Sequence, residues 1–378
     1  MATLAFNDAT AKALKWVLAG ADNSDYGHYI VISIDKDGFT KISTNTPFGR
    51  SIEMKAENTE DSYSDVAFAA STLSGLASSV EEGDSLTLNI DNAKDVIYIS
   101  LNSTTITVDN LYDVCPVVAS LRGKNTLTTV DAKSVASALT TATKMLPRNG
   151  NVAIDCDSER LAVSAISDEL VSREEFPSTL PEGDEHHILV SGKKLSALNA
   201  VVRTGLVDDM KIKEERGVVS FVFPIPDDAI GIDSLSLHVA TAVENYEGEG
   251  GEFLDEPENE IATLSLPEVK ESLAPLTAVV SGALVTIDTT GANGVALTIQ
   301  AKGTAAKTIV LDATVESSTT HTVSLSMFMA ALKNISTTQM KISTIAVDGE
   351  DTWYVITPDH EDDDNPGEDI MVAIPIYE

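Results

Sequence analysis

Acidic side chains are the most abundant chemical material in this chain. There are 59 Asp and Glu against 25 Lys and Arg, a formal charge of −34 over 378 residues. Asp359, Glu361, Asp363 and Asn365 alternate ahead of Gly367, and oxygens so spaced can hold a hard divalent cation. No glutamate follows where a bidentate ligand would close such a loop, so the stretch reads as an acidic surface loop. Asp155, Asp157 and Glu159 alternate and read as solvated, and His186-His187 reads as a strand entry rather than a ligand pair. No Gly-rich loop precedes Lys and Ser or Thr, and no Ser-His-Asp or Cys-His pairing has a supporting motif. A metal-assisted hydrolase built on the acidic clusters stays open as a third reading.

The basic residues show a pattern the acids lack. Helix residues advance by about 100° each, which places Lys133 and Lys144 opposite an apolar stripe of Val135, Leu139, Ala142 and Leu146. Lys193 and Arg203 face away from Leu195, Leu198 and Val202, with Lys194 on the flank. Lys12 opposes Leu14 and Leu18 with Lys15 on the flank, and Lys333 opposes Met327, Ala331 and Ile335. With Arg148 and Lys270, the predicted helices and their ends hold ten bases and four acids, Asp8, Asp131, Glu268 and Glu271. Lys and Arg are good helix formers, but so is Glu, and it is scarce there. A positive helix layer suits phosphate contacts, which position a duplex without reading its bases. The screening length in the cell is about 8 Å, so acids on the far face weaken that attraction without cancelling it.

The elements that position these bases repeat. Strand Val66–Phe68, a helix capped by Ser71 with Leu73, Leu76, Ala77 and Val80 on one side, a Glu-Glu-Gly-Asp turn and strand Leu86–Ile90 form one unit. Helix starts at Asn7 or Asp8, Ser71, Asp131, Ser191, Pro267 and Ser326 recur about every 60 residues, with one longer interval before Pro267. A unit of that size buries little core alone, so the units pair into three domains, 1–122, 123–260 and 261–378. Each domain is β-α-β-β-β, twice. Glu244 to Glu260, rich in Glu and Gly, reads as an acidic linker. The Ser191 helix is expected to run to Thr204, Pro275 to kink or end the Pro267 helix, and Thr308–Val315 to be one strand.

Hydrophobic content is 43% and aromatic content 5%, so the cores rest on Val, Ile, Leu and Ala in short strands. No apolar run approaches a membrane span, and the N-terminus lacks the basic and apolar regions of a secretion signal. Cys115 and Cys156, in different predicted domains, point to a reducing, cytoplasmic setting without a disulfide.

These residues together resemble a bacterial-type DNA polymerase sliding clamp, the beta clamp, over nearly the whole chain. The likeness rests on three doubled β-α-β-β-β domains and on the stretch from Phe68 to Asp84. It rests also on the ending Ile370-Met-Val-Ala-Ile-Pro-Ile-Tyr-Glu378, similar to the family's apolar-Met-Pro-apolar C-terminus. The resemblance implies an α+β three-domain clamp with helices on the inner face and sheets outside. It implies a head-to-tail homodimer ring around duplex DNA that tethers the replicative polymerase, with no enzymatic activity and no cofactor. DNA contacts would fall to Lys12, Lys15, Lys133, Lys144, Arg148, Lys193, Lys194, Arg203 and Lys333.

The family's partner-peptide pocket, which takes short motifs of the polymerase and clamp loader, would use Val372, Ala373, Ile374, Pro375 and Ile376 as its C-terminal wall. Its other wall carries Thr-Asp-Gly-His-Arg-Leu, where this chain has Ala165-Ile-Ser-Asp-Glu-Leu170. Leu170 is kept, while Ser167, Asp168 and Glu169 replace Gly, His and Arg. The loop Ala21 to Gly27 is acidic where the family often offers a base, and Glu268 and Glu271 face outward from the Pro267 helix. Both departures imply weak DNA affinity and a divergent, virus-encoded member. The rival reading is a β-rich structural or interaction protein whose duplicated domains assemble without DNA.

Overall fold

The computed structural model describes all residues except 1, 23, 25–26, 36, 57–63, 116–121, 147–149, 168–169, 182–183, 227–230, 243–258, 278–281, 292–293, 302–305, 334, 336, 348–350, 360–369 and 378. Most of the acidic linker and of the loop after Asp359 thus lies outside the described residues, as do Arg148, Asp168 and Glu169.

The described elements run as six β-α-β-β-β repeats. The first is β1 (Ala2–Phe6), α1 (Asp8–Leu18), β2 (Tyr29–Ile34), β3 (Phe39–Thr44) and β4 (Arg50–Lys55). The second is β5 (Ser64–Ala69), α2 (Ala70–Ser78), β6 (Leu86–Asp91), β7 (Val96–Leu101) and β8 (Thr104–Asp109). The third is β9 (Asn125–Asp131), α3 (Ala132–Met145), β10 (Asn151–Cys156), β11 (Arg160–Ser167) and β12 (Leu170–Pro177). The fourth is β13 (His186–Ser191), α4 (Gly192–Leu195), α5 (Leu198–Val202), β14 (Asp209–Glu215), β15 (Val218–Pro224) and β16 (Ile232–Ala240). The fifth is β17 (Asn259–Ser265), α6 (Leu266–Thr277), β18 (Leu284–Asp288), β19 (Val295–Gln300), β20 (Lys307–Leu311) and the short β21 (Ala313–Val315). The sixth is β22 (Thr320–Ser324), α7 (Leu325–Lys333), β23 (Gln339–Val347), β24 (Asp351–Asp359) and β25 (Ile370–Pro375).

The opening strand of each repeat leaves its own sheet and joins the other repeat of its pair. Thus β1 pairs with β6, Leu4 opposite Leu88, while β5 pairs with β2, Phe68 opposite Ile30. The same exchange places β9 beside β14, β13 beside β10, β17 beside β23 and β22 beside β18. Two four-stranded sheets result, β1-β6-β7-β8 and β20-β19-β18-β22. Two larger sheets fuse halves from neighbouring pairs: β5-β2-β3-β4-β16-β15-β14-β9, and β13-β10-β11-β12-β25-β24-β23-β17-β21.

Packing divides the chain into two compact units. The first is Met1–Ser137 with Lys194–Val243, and the second is Ala138–Lys193 with Glu244–Glu378. In the first, Leu4, Phe6, Leu14, Ile30, Ile32, Ile42, Ile52 and Phe68 are fully buried. In the second, one cluster joins Leu264, Leu273, Val285, Leu297, Phe328, Tyr354, Val372 and Ile374. Aliphatic side chains on alternate strand positions supply most of both.

Several local expectations need correction. The Ser191 helix is two short pieces, α4 and α5, and buries Val201 where Val202 was expected. Ser71 sits inside α2, whose N-cap is Ala69 with no side-chain bond. Asp312 separates β20 from β21. Pro275 lies inside α6, which runs to Thr277. The Asp131 cap holds, its Oδ1 accepting Ser134 N at 2.7 Å.

Candidate functional site

The basic site begins with α1. Asn7 Oδ1 accepts Thr10 N at 2.9 Å, and Thr10 Oγ1 accepts Asn7 N at 2.9 Å. This reciprocal cap fixes the helix start and so the phase of all that follows. Ala11, Leu14, Trp16, Val17 and Leu18 turn inward, leaving Lys12 exposed and Lys15 half-buried. Trp16 is buried, and its Nε1 donates to Ala197 O at 3.0 Å. Ala197 lies in the turn between α4 and α5.

Arg50 starts β4, opposite Leu237 of β16, at the seam where two half-sheets fuse. Its Nη1 donates to Trp16 O at 2.7 Å, and its Cζ stands 5.2 Å from the centre of the Trp16 ring. A carbonyl in the last turn of α1 is thereby satisfied by a cation, which the helix dipole favours. Gly20 makes room: a Cβ there would lie 2.9 Å from Arg50 Cδ. Burial pulls the Arg50 guanidinium below its ordinary value, yet such a group stays protonated.

These contacts bring Lys12, Lys15 and Arg203 around one concavity of about 330 Å³. Trp16, Ala19, Arg50, Ala200 and Thr204 complete its lining, with no carboxylate among them. Three of the sequence-predicted bases meet here, and Arg50 joins them unforeseen. A single arginine on a strand leaves no periodic signal; only Gly49 before it marks the place as unusual.

The other predicted bases lie outside this concavity. Lys133 is exposed in the first turn of α3, Lys144 in its last turn, Lys193 and Lys194 on α4, and Lys333 at the end of α7. Lys194 faces the acidic loop after α1. Asp22 there is held below the usual carboxylate range by hydrogen bonds from Ser24, with the Lys194 charge adding to them. On α6, Glu268 and Glu271 are exposed, and Lys270 Nζ donates to Ile335 O at 3.0 Å.

Several strand and loop bases meet acids: Lys94 with Asp91, Arg122 with Glu53, Lys124 with Glu215, Arg160 and Arg173 with Glu175, and Lys341 with Asp359; Lys55, Lys211, Lys213 and Lys307 on strands have no such pair among the described residues. Among the described residues none of Lys12, Lys15, Lys133, Lys144, Lys194, Arg203, Lys270 or Lys333 has a carboxylate within ion-pair distance. Arg50 has none either.

The predicted peptide-binding residues lie on two adjacent strands of the second unit. β12 pairs with β25, Val171 opposite Ala373 and Ser172 opposite Val372. Strand alternation then splits them between faces. Leu170, Val372 and Ile374 enter one apolar cluster, with Ile376 and Met145 packed against it half-buried. Ala373 joins Val171, Trp353 and Val355 in a separate cluster. Pro375 is half-buried. Ser167 Oγ binds the backbone of Leu170, donating to its O at 3.0 Å and accepting its N at 3.1 Å. Beyond β25, Tyr377 N donates to Thr322 O at 2.7 Å and ties the chain end to β22.

Other potential chemistry resolves into local structure. His187 Nδ1 bonds Asp155 Oδ1 at 2.9 Å, and Asp157 Oδ1 accepts the backbone N–H of Glu159 and of Arg160. Cys115 and Cys156 are free and buried. Among the described residues no group of three or more His, Cys, Asp or Glu could hold a metal ion, and no helix is long and apolar enough to cross a membrane.

No family model and no curated protein matches the sequence. Solved structures do match in shape. The DNA polymerase sliding clamp of Pseudomonas aeruginosa with a ligand is 12% identical at a TM-score of 0.77, with all of both chains covered. The DNA polymerase beta subunit of Streptococcus pyogenes is 13% identical at 0.76, again over all of both chains. The Helicobacter pylori beta clamp bound to a DNA ligase peptide is 13% identical at 0.71 over the same full lengths. The chain therefore has the beta-clamp fold along its entire length.

Proposed function

We propose that this chain is a DNA sliding clamp, a processivity factor without catalysis of its own that encircles duplex DNA and tethers a replicative polymerase. One observation carries the reading. In a chain of net charge −34, Lys12, Lys15, Lys133, Lys144, Lys194, Arg203, Lys270 and Lys333, drawn from helices or helix ends of every repeat pair, have no carboxylate within ion-pair distance among the described residues. Unpaired bases keep their charge for phosphates, and phosphate contacts need no particular sequence.

The proposed ring closes through two of the open sheet edges. β8 ends one four-stranded sheet and β20 the other. An unpaired edge invites a further strand. Ile106 and Val108 on β8, and Ile309 and Leu311 on β20, lie on the less exposed face of their strands. Pairing β8 of one copy with β20 of another is head-to-tail, and such contacts close into a ring when the rotation allows. Two chains are the proposed number. The apolar cluster of Leu170, Val372 and Ile374 with Ile376 and Met145 would receive a short peptide of the polymerase or clamp loader, much as the Helicobacter pylori clamp holds a DNA ligase peptide. The repeat pairs correspond to three domains, 1–122, 123–260 and 261–378, and the setting is cytoplasmic.

Topology gives the test. Loaded onto nicked circular DNA, the protein should survive a high-salt wash, and it should be lost once the circle is cut to a linear form. Equal retention on both forms, or on neither when a clamp loader is supplied, would overturn the reading.

A further inference from the structure

On the sliding-clamp reading, we propose that Arg50 makes its own phosphate contact with the duplex while aligning α1 with α5, so that Lys12, Lys15 and Arg203 act on the same stretch of backbone. Arg50 comes from a strand, at the β4–β16 seam opposite Leu237, and not from a helix face. It sits on the same side of the strand as the buried Ile52 and Met54, the side that α1 covers.

A guanidinium has five N–H donors in a fixed fork. Among the described residues Arg50 uses Nη1 on Trp16 O and has no carboxylate partner. If its purpose were only to cap α1, one donor would suffice and a lysine could supply it. Arg50 lines the concavity that Lys12, Lys15 and Arg203 share. The side chain is already ordered: it lies over the Trp16 ring, and Gly20 leaves the space it fills. A pre-placed fork loses little further freedom on meeting a phosphate, which suits bidentate contact. Trp16, held in turn by Ala197 O, passes the position of α1 to the turn preceding α5.

Salt dependence separates a contact from a strut. Binding of a short duplex is followed by fluorescence anisotropy over a range of salt for wild type, Arg50→Gln and Lys12→Gln. Each lost phosphate contact makes the log–log slope shallower by about 0.9, and both variants should show that change. If Lys12→Gln flattens the slope and Arg50→Gln does not, Arg50 is only a strut. If wild-type binding shows no salt dependence, the clamp reading itself fails and takes this inference with it.

A second measurement needs no variant. An arginine-selective dicarbonyl is applied to the wild-type protein with and without duplex, and the modified peptides are read by mass. DNA should protect Arg50 and Arg203 and leave Arg216, whose side chain is 92% exposed, unprotected. Equal modification of Arg50 in both conditions overturns the proposal.

Discussion

Trp16 Nε1 donates to the carbonyl oxygen of Ala197 across 181 residues of sequence. One hydrogen bond thus couples the first helix to the break in the fourth repeat's helix. Trp16→Phe removes the donor, shrinks a buried ring and leaves a carbonyl unsatisfied. Unfolding free energy should fall by about 1–3 kcal/mol, measured by urea denaturation. DNA affinity should weaken with an unchanged salt slope, since no charge is lost. Unchanged stability would mean that the bond contributes nothing.

Lys133, Lys144 and Lys333 sit on exposed helix surface without acidic partners among the described residues. Replacing each by Gln should flatten the salt dependence of duplex binding by about 0.9 per residue. Lys94, tied to Asp91 at 3.1 Å in a turn, is the control and should change nothing. A flattened slope for Lys94→Gln equal to the others would dissolve the distinction between paired and unpaired bases.

His238 supplies a pH dependence. Burial, and then the charges of Lys41 and Arg122, push its imidazole down to about 3. Ser220 Oγ accepts Gly123 N at 2.7 Å and shares a hydrogen bond with His238 Nδ1 at 2.8 Å. The other ring nitrogen, Nε2, is buried without a hydrogen-bond partner among the described residues. Its ordinary value is near 6.5, so between about 3 and 6.5 the unfolded chain binds the extra proton. Stability therefore rises with pH through that window and is lost on acidification, by at most about 5 kcal/mol from this residue. His238→Gln should flatten the slope of unfolding free energy between pH 4 and pH 6. An identical slope in the variant would refute the assignment.

Removing residues 376–378 takes Ile376 from the Leu170 cluster and Tyr377 from Thr322, yet leaves β25 paired with β12 and β24. A polymerase-derived peptide should bind at least about tenfold more weakly, a loss of roughly 1.4 kcal/mol, with the solution mass unaltered. Calorimetric titration decides the point, and equal affinity would remove the groove from consideration.

Ile309→Lys puts a charge on the proposed β8–β20 contact. Light scattering should show wild type at the mass of two chains and the variant at one. A two-chain mass for both would move the interface elsewhere.

Much of the architecture was legible because it is periodic. The capped helices at Asn7 and Asp131, the spacing of the repeats and the strands Tyr29–Ile34, Phe39–Thr44 and Val96–Leu101 follow from alternation and capping chemistry alone. Strand exchange was not legible, since alternation says which face a residue takes and not which neighbour its backbone meets. The break at Ser196–Ala197 had no Pro or Gly to announce it; its local signature is the carbonyl offered to Trp16, a partner far away in sequence. The opposite facing of Val372 and Ala373 was readable from strand parity, but the family resemblance grouped them in one wall. Arg50 was missed because its meaning comes from Trp16, Gly20 and a seam, none of which one residue can signal.

The exchanged opening strands set an order on synthesis. Ala2 finds its place only opposite Ile90, so during synthesis β1 waits until β6, past the middle of the second repeat, has emerged. Until then β1 is an orphan with an unpaired edge, exposed to wrong partners. Nor can a single repeat be deleted or copied without stripping a strand from its neighbour. Growth or shrinkage of such a chain is therefore confined to steps of two repeats.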